Sequence, residues 1–323
     1  MKERNSSIEI LRIVSMILIV VFHYHARNYN LYVVDALRPE DSDFIYKLLT
    51  HSLGGLGVPI FVFISGWFGI KYRNERLADM LFQCAFYACL ASFLYAAFYH
   101  GLDVKGIVFF VNHWWFMAAY LCLYVIAPAI NAMMENTTMK YSLMVVLLFY
   151  FISFGDLVVK AANIGGLYMM LTMYLSARWL KLYASDFLNK YALHLLMACL
   201  VIRFGVVGLV FYVPKFSLLN YVTSYVSPVS TLLAASLLVS VSKFMLYSKW
   251  VNKIAASCLS VYLLSESGFG QSFFSYLFPK NYCFISYVGG GICVFVIISL
   301  VDQIRVMIAN FLFVNCNKKL CKK

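Results

Sequence analysis

A chain of 323 residues that is 63% hydrophobic and only 12% charged, with a mean hydropathy of +0.80, is too apolar for a soluble protein. The formal charge of +12 does not point to nucleic acid, because the basic residues are spread among short polar breaks and the aromatics lie inside apolar runs; membrane orientation accounts for them. Nine cysteines, an odd number without recurrent spacing, argue against a disulfide framework or a zinc site, and no metal is expected.

In chain order, the first apolar segment runs from Ser7 to His25 and is interrupted only near its ends by ionisable residues, which predicts a membrane helix. Helical spacing puts Glu9, Arg12, Met16, Val20, His23 and Arg27 on one stripe and His25 on the opposite side. An ionisable group inside a bilayer costs about 2.5 to 3.5 kcal/mol on insertion scales, so the stripe is expected to face protein or a wet cavity. Two readings stand open. One is an i,i+3 pair of Glu9 with Arg12 at one boundary and His23 among the headgroups at the other; the second is a functional row. No small-residue cleavage site follows His25, so the segment is expected to stay attached.

Ten spans are predicted, at about 8–25, 49–70, 79–99, 114–134, 142–159, 165–180, 193–213, 227–247, 257–278 and 284–308. The expected fold is therefore an all-α polytopic membrane bundle. Alternating the spans from a cytosolic start gathers most lysines and arginines on one side, among them Lys71, Arg73, Arg76, Arg178 and Arg305, and both termini are expected to be cytosolic. One domain over residues 1–323, with a short basic tail at 309–323 and no fused soluble domain, is expected.

Gly54, Gly55, Gly57 and Pro59 in the second span predict a broken or kinked helix, serving either close helix packing or a backbone that lines a cavity. The fourth span opens on His113, Trp114 and Trp115, which by position form an interfacial belt. Asp156, Arg203 and Glu266 are charges in apolar surroundings. Arg203 and Glu266 each lie ~15 Å from the inner end of a span and are expected to pair.

Three blocks are more specific than hydropathy. They are Ile8-x-Ile10-Leu11-Arg12 with His23 after ten further residues; Gly57-Val58-Pro59-x-Phe61-x-Phe63-x-Ser65-Gly66; and Trp115-Phe116-x-x-x-Tyr120-x-x-x-Tyr124-x-x-x-Pro128-x-x-Asn131. In this order they resemble the opening blocks of acyltransferase family 3, bacterial membrane enzymes that acylate hydroxyl groups of surface glycans. The resemblance implies transfer of acetyl from acetyl-coenzyme A to a surface or lipid-linked polysaccharide, in the bacterial cytoplasmic membrane. Acetyl-coenzyme A enters as donor substrate, the partners are the bilayer and the glycan acceptor, and a homo-oligomer is left open.

After the second block the family carries a basic cluster thought to engage the phosphates of acyl-coenzyme A. Lys71, Arg73 and Arg76 stand there in this chain, less dense in arginine and without the family's nearby proline. The resemblance thus implies Arg12, Ser65, Gly66, Arg73 and Arg76 as coenzyme-binding residues. In the ninth span, Ser260-Val261-Tyr262-Leu263-Leu264-Ser265 is similar to a family segment S-x-Y-L-x-H, but Ser265 replaces the histidine and no catalytic role carries over.

Acyl transfer to an alcohol needs a base at the hydroxyl, donors for the oxyanion and an anchor for the coenzyme. Arg12 and His23 stand ~16 Å apart along a helix and cannot serve one atom. Arg12, with Arg73 and Arg76, is expected to hold the coenzyme, Glu9 to pair with Arg12, and His23 to act as general base or transient acyl carrier. His51, His113, Trp115 and Tyr120 share His23's level and are expected to bind the acceptor. The rival class is a transporter, since broken helices and buried charges also mark substrate paths. A second copy of the Arg/His or Ser-Gly block, as paired halves would require, is not seen.

Overall fold

The computed structural model describes residues 5–29, 40, 42–99, 101, 104–108, 110, 114–159, 166–209, 221–278 and 283–320. Among them the regular elements are helices: α1 (Ser6–Tyr29), α2 (Phe44–Gly54), α3 (Gly57–Phe68), α4 (Asn74–Tyr99), α5 (Val104–Val108), α6 (Trp115–Glu135), α7 (Met139–Val159), α8 (Gly166–Tyr183), α9 (Ser185–Leu209), α10 (Pro228–Ser242), α11 (Lys249–Ala255), α12 (Cys258–Ser265), α13 (Gly268–Phe273) and α14 (Phe284–Leu320). An all-helical fold is what the backbone must adopt in hydrocarbon, where unpaired N–H and C=O groups find no water.

Seven segments among the described residues are long and apolar enough to cross a membrane: α1, Phe44–Phe68, α4, α6, Ser185–Val206, Tyr221–Ser242 and Phe284–Ala309. They correspond to seven of the ten predicted spans. The other three are also helical: α7 is apolar over its described residues Met139–Gly155, α8 has 18 residues and carries Arg178 and Lys181 in its last turns, and the predicted ninth span breaks into α12, α13 and a 3-10 turn at Phe274–Leu277.

Helix α1 is an inner helix. Of its apolar stretch 56% is buried, against 22% for Ser185–Val206, whose Leu193, Met197 and Val201 are exposed as lipid-facing residues would be. It packs on α14, α2, α3, α10, α11 and α12. Its start is fixed by the Asn5 side chain, which accepts from the Ser7 N–H at 3.0 Å as an N-cap. Ser6 and Ser7 then donate to the carbonyls of Ser248 and Phe244, tying that end to the α10–α11 connection.

The predicted break in the second span falls between α2 and α3, and its glycines serve packing. A Cβ on Gly57 would stand 2.5 Å from Ile19 Cγ1 and 2.6 Å from the Ser15 carbonyl oxygen, so only glycine lets α3 lie this close to α1. Pro59 sits in the first turn of α3, where a missing N–H costs nothing.

The expected pairing of Arg203 with Glu266 does not occur. Arg203 is fully buried and donates to the Val222 carbonyl at 3.2 Å, to Ser230 Oγ at 2.9 Å and to the Ser52 carbonyl, while Glu266 pairs with Arg27. Depth counted along an unbroken ninth span fails because the chain turns at Glu266. The side chain of Asp156 lies outside the described residues.

Candidate active site

Two local devices bring the chemistry-bearing residues to one place. The first fastens the link between α3 and α4. Gly69, at φ +71°, takes the left-handed turn that only glycine adopts cheaply. Asn131 Nδ2 then donates to the Ile70 carbonyl at 3.0 Å, the Ile70 N–H donates to the Tyr174 hydroxyl at 2.9 Å, and the Arg73 N–H donates to the Tyr124 hydroxyl at 3.0 Å. Tyr124 and Asn131 are thus the clamp that sets where α4 begins, and with it Arg76 and Asp79.

The second device is the break after α12. The helix stops at Glu266, and Ser267 caps α13 by accepting the Gly270 N–H at 3.0 Å. Tyr24 of α1 donates to the Gly270 carbonyl at 2.8 Å. A Cβ on Gly270 would lie 1.9 Å from the Leu264 carbonyl oxygen, so the turn that presents Glu266 to α1 requires glycine.

Between these devices lies a cavity of about 250 Å³. The stripe of α1 faces it through Glu9, Arg12, Met16, Ile19 and His23; α3 contributes Val58, Phe61 and Ser65, and α6 contributes Trp115, Phe116 and Tyr120. The predicted residues Glu9, Arg12, His23, Ser65, Arg76, Trp115 and Tyr120 therefore share one lining, although they come from four helices.

One end is ionic. Arg12 Nη1 donates to Glu9 Oε1 at 3.1 Å, and Arg76, Asp79 and Arg305 complete the lining there. Behind them Asp302, 1% exposed, accepts from Arg305 Nε at 2.6 Å, Ser257 Oγ at 2.8 Å, Ser260 Oγ at 2.6 Å and Tyr87 at 3.0 Å. A buried carboxylate is tolerable only when its lone pairs are filled in this way.

The other end is aromatic around a single carboxylate. His23 Nδ1 lies 3.4 Å from Glu266 Oε1, and Arg27 forms an ion pair with the second oxygen of the same carboxylate. With Nδ1 turned to Glu266, the opposite ring nitrogen, Nε2, is the one left to meet a ligand. Tyr120 stacks on Phe116 at 5.9 Å, Phe116 tilts on Tyr262 at 5.4 Å, and the Tyr120 hydroxyl lies 3.3 Å from Ser65 Oγ. The Trp115 ring rests where a side chain at Gly166 would collide with it, at 2.5 Å.

Other predicted site residues fall elsewhere. Gly66 does not line the cavity; its hydrogen faces α8, where a Cβ would stand 2.7 Å from Ala177 Cβ and 2.9 Å from the Tyr174 carbonyl oxygen, so it serves helix packing. The side chain of Arg73 is exposed and outside the lining, while its N–H donates to Tyr124. The side chain of His51 and the whole of His113 lie outside the described residues. His25 points away from the cavity, buried between Tyr29 and Tyr287 with ring centroids 5.5 and 6.0 Å distant.

Sequence reasoning did not assign Glu266, Asp79, Gln83, Tyr262 or Arg305 to this site. Glu266 was visible only as a charge in an apolar run, and nothing in the chain's periodicity ties residue 266 to residue 23. No curated protein and no solved structure shows a significant match to this chain. A family model does: residues 5–301, which include both ends of the cavity except Asp302 and Arg305, match the model described as an acyltransferase domain. An all-helical membrane protein with this match over nearly its whole length belongs to acyltransferase family 3 and is an acyltransferase enzyme.

Proposed function

We propose that this acyltransferase moves an acetyl group from cytosolic acetyl-coenzyme A to a hydroxyl of a surface or lipid-linked polysaccharide in the bacterial cytoplasmic membrane. The observation that carries the reading is that Arg12 and His23, ~16 Å apart on one helix face, line the same cavity. An ionic end suits the phosphates of the coenzyme, and a pantetheine arm running along α1 would deliver its thioester to the histidine. The excess of Lys and Arg near the Arg12 end supports a cytosolic placement of that end and of both termini.

The chemistry then divides by residue. His23 Nε2 takes the proton of the acceptor hydroxyl as its oxygen attacks the thioester carbonyl. The tetrahedral oxyanion collapses to the ester and the coenzyme thiolate, which recovers the proton from the imidazolium. Glu266 Oε1, 3.4 Å from Nδ1 without a formed hydrogen bond, would close on the ring as it gains its proton, the role a carboxylate plays behind a general-base histidine. That arrangement favours the base over the transient acyl carrier. The Tyr120 hydroxyl is the donor within the lining for the oxyanion, since Ser65 Oγ donates to the Phe61 carbonyl at 3.2 Å, and Trp115 and Phe116 offer faces for a sugar ring. Arg12, Arg76 and Ser65 contact the donor, with Glu9 holding Arg12. The family match favours transfer over the rival reading of a transporter.

The test is directional. Sealed vesicles with the cytosolic face outward, given acetyl-labelled acetyl-coenzyme A, should transfer label to glycan, as read by mass analysis of the glycans, and right-side-out vesicles should not. Equal transfer from membranes lacking the protein would overturn the activity. Transfer only from right-side-out vesicles would overturn the orientation.

A further inference from the structure

At the ionic end one guanidinium is held differently from the rest. Arg305 is 6% exposed, yet it is not enclosed on all sides. Its Nε and Nη2 are engaged by the two oxygens of Asp302, at 2.6 and 3.5 Å. Asp302 is in turn immobilised by Ser257, Ser260 and Tyr87, and Gln83 donates to Ser260. The remaining nitrogen, Nη1, lies 3.7 Å from Asp79 Oδ1, beyond hydrogen-bonding distance, and both residues line the cavity.

The two carboxylates around Arg305 are unlike. The Asp302 side chain is 1% exposed and fully satisfied; that of Asp79 is 56% exposed and, among the described residues, makes only this long contact. A contact of that length to a half-exposed carboxylate is weak, whereas a phosphate oxygen on a preoriented guanidinium makes a short, charge-assisted bond. Arg12, Arg76 and Arg305 thus converge on one end of the cavity from α1, α4 and α14. The family match stops at residue 301 and assigns nothing to Arg305.

We infer that Arg305, oriented by Asp302, is a further donor-binding residue that takes a phosphate oxygen of the acyl-coenzyme A, and that Asp79 occupies its free face until the donor displaces it. The inference rests on the coenzyme reading of this cavity. It makes the site nearly neutral when empty, with Glu9 and Asp79 beside Arg12, Arg76 and the Asp302-paired Arg305, and cationic toward the ligand once Asp79 swings away. Arg305 then discriminates for phosphorylated donors over a bare thioester.

The experiment is equilibrium binding of coenzyme A to the purified full-length protein in detergent, normalised to folded protein by thermal melting. Asp79→Asn removes the competitor without disturbing the Asp302 network and should tighten binding by about three- to tenfold. Arg305→Lys keeps the charge but loses the fork and should weaken binding by about tenfold, raising the donor KM while leaving kcat within about twofold. A purely structural Arg305 would instead lower the yield of folded protein and leave both affinities unchanged. Absence of either shift overturns the inference. If the wild type binds coenzyme A and Arg12→Ala weakens it while these two variants do not move, Arg305 alone is wrong; if the wild type does not bind coenzyme A, the coenzyme reading fails and takes Arg305 with it.

Discussion

At one end of the cavity Arg12, Arg76 and Arg305 stand among Glu9, Asp79 and Asp302; at the other, about three turns further along the same helix, Glu266 serves both His23 and Arg27, and the remaining walls are aromatic. On the proposed function, the contrast follows from what each end would do. Holding a polyanion calls for several fixed cations whose charges are balanced when the site is empty, because unpaired guanidinium groups at membrane depth are costly. Moving one proton calls for one imidazole with one carboxylate behind it and few competing charges nearby. On the proposed function the ionic end serves affinity and the aromatic end turnover, so damage to each should appear in a different kinetic constant.

The largest effect expected is at the aromatic end. His23→Ala should lower acetyl transfer by ~10² or more, the usual scale for a lost acid–base group, and leave coenzyme binding within about twofold. His25→Ala is the matched control two residues away: because His25 packs between Tyr29 and Tyr287, the substitution should reduce folded protein while each folded molecule retains its activity. Transfer rates in membranes carrying equal folded protein check both. Full activity in His23→Ala would erase the difference between the ends.

Next in size is Arg12. Its replacement by Ala should weaken coenzyme binding by about tenfold to a hundredfold, the scale of a lost charged hydrogen bond, and Lys should recover only part because it lacks the planar fork. Titration of coenzyme A into purified variants measures this. A fall in kcat with unchanged affinity would move Arg12 to the other function.

The smallest effect sharpens the role of Glu266. Glu266→Gln keeps the size of the side chain and a hydrogen-bonding oxygen but removes the charge that His23 and Arg27 share, so kcat should fall by about tenfold with donor affinity unchanged. Adding Arg27→Gln should recover part of that loss, since the arginine is then no longer left without its counter-charge. Strictly additive losses would show that Arg27 and Glu266 act separately.

Much of the site could be read from helical period alone. Because α1 is one uninterrupted helix, 100° per residue is enough to put Glu9, Arg12 and His23 on one face, and the cost of charge in lipid is enough to say that this face is not bare. The i,i+3 contact of Glu9 with Arg12 is local for the same reason. The expectation for Arg203 and Glu266 failed where that condition failed. Residues 257–278 form two short helices and a 3-10 turn, so position along the chain no longer measures depth, and Glu266 meets α1 instead. The second and third sequence blocks were legible as motifs but not in their mechanics: Tyr124 and Asn131 turned out to clamp residues 69–73, and Gly66 to seat α3 on α8.

The sequence by itself determined the membrane class, the helical backbone, the apolar segments, the family and the polar stripe of α1, all of which depend on local composition and on a helical repeat that does not need neighbours. Tertiary structure alone decided that Glu266 stands behind His23, that Asp79, Asp302 and Arg305 join Arg12 and Arg76, and that Arg203 is held by carbonyls rather than by an acid. Apart from the i,i+3 pair of Asp302 with Arg305, these contacts join residues too far apart in the chain for a helical repeat to relate them. They depend on where α4 begins and where α12 ends, which Gly69, Gly270 and a few hydrogen bonds fix through close approaches that no periodicity encodes.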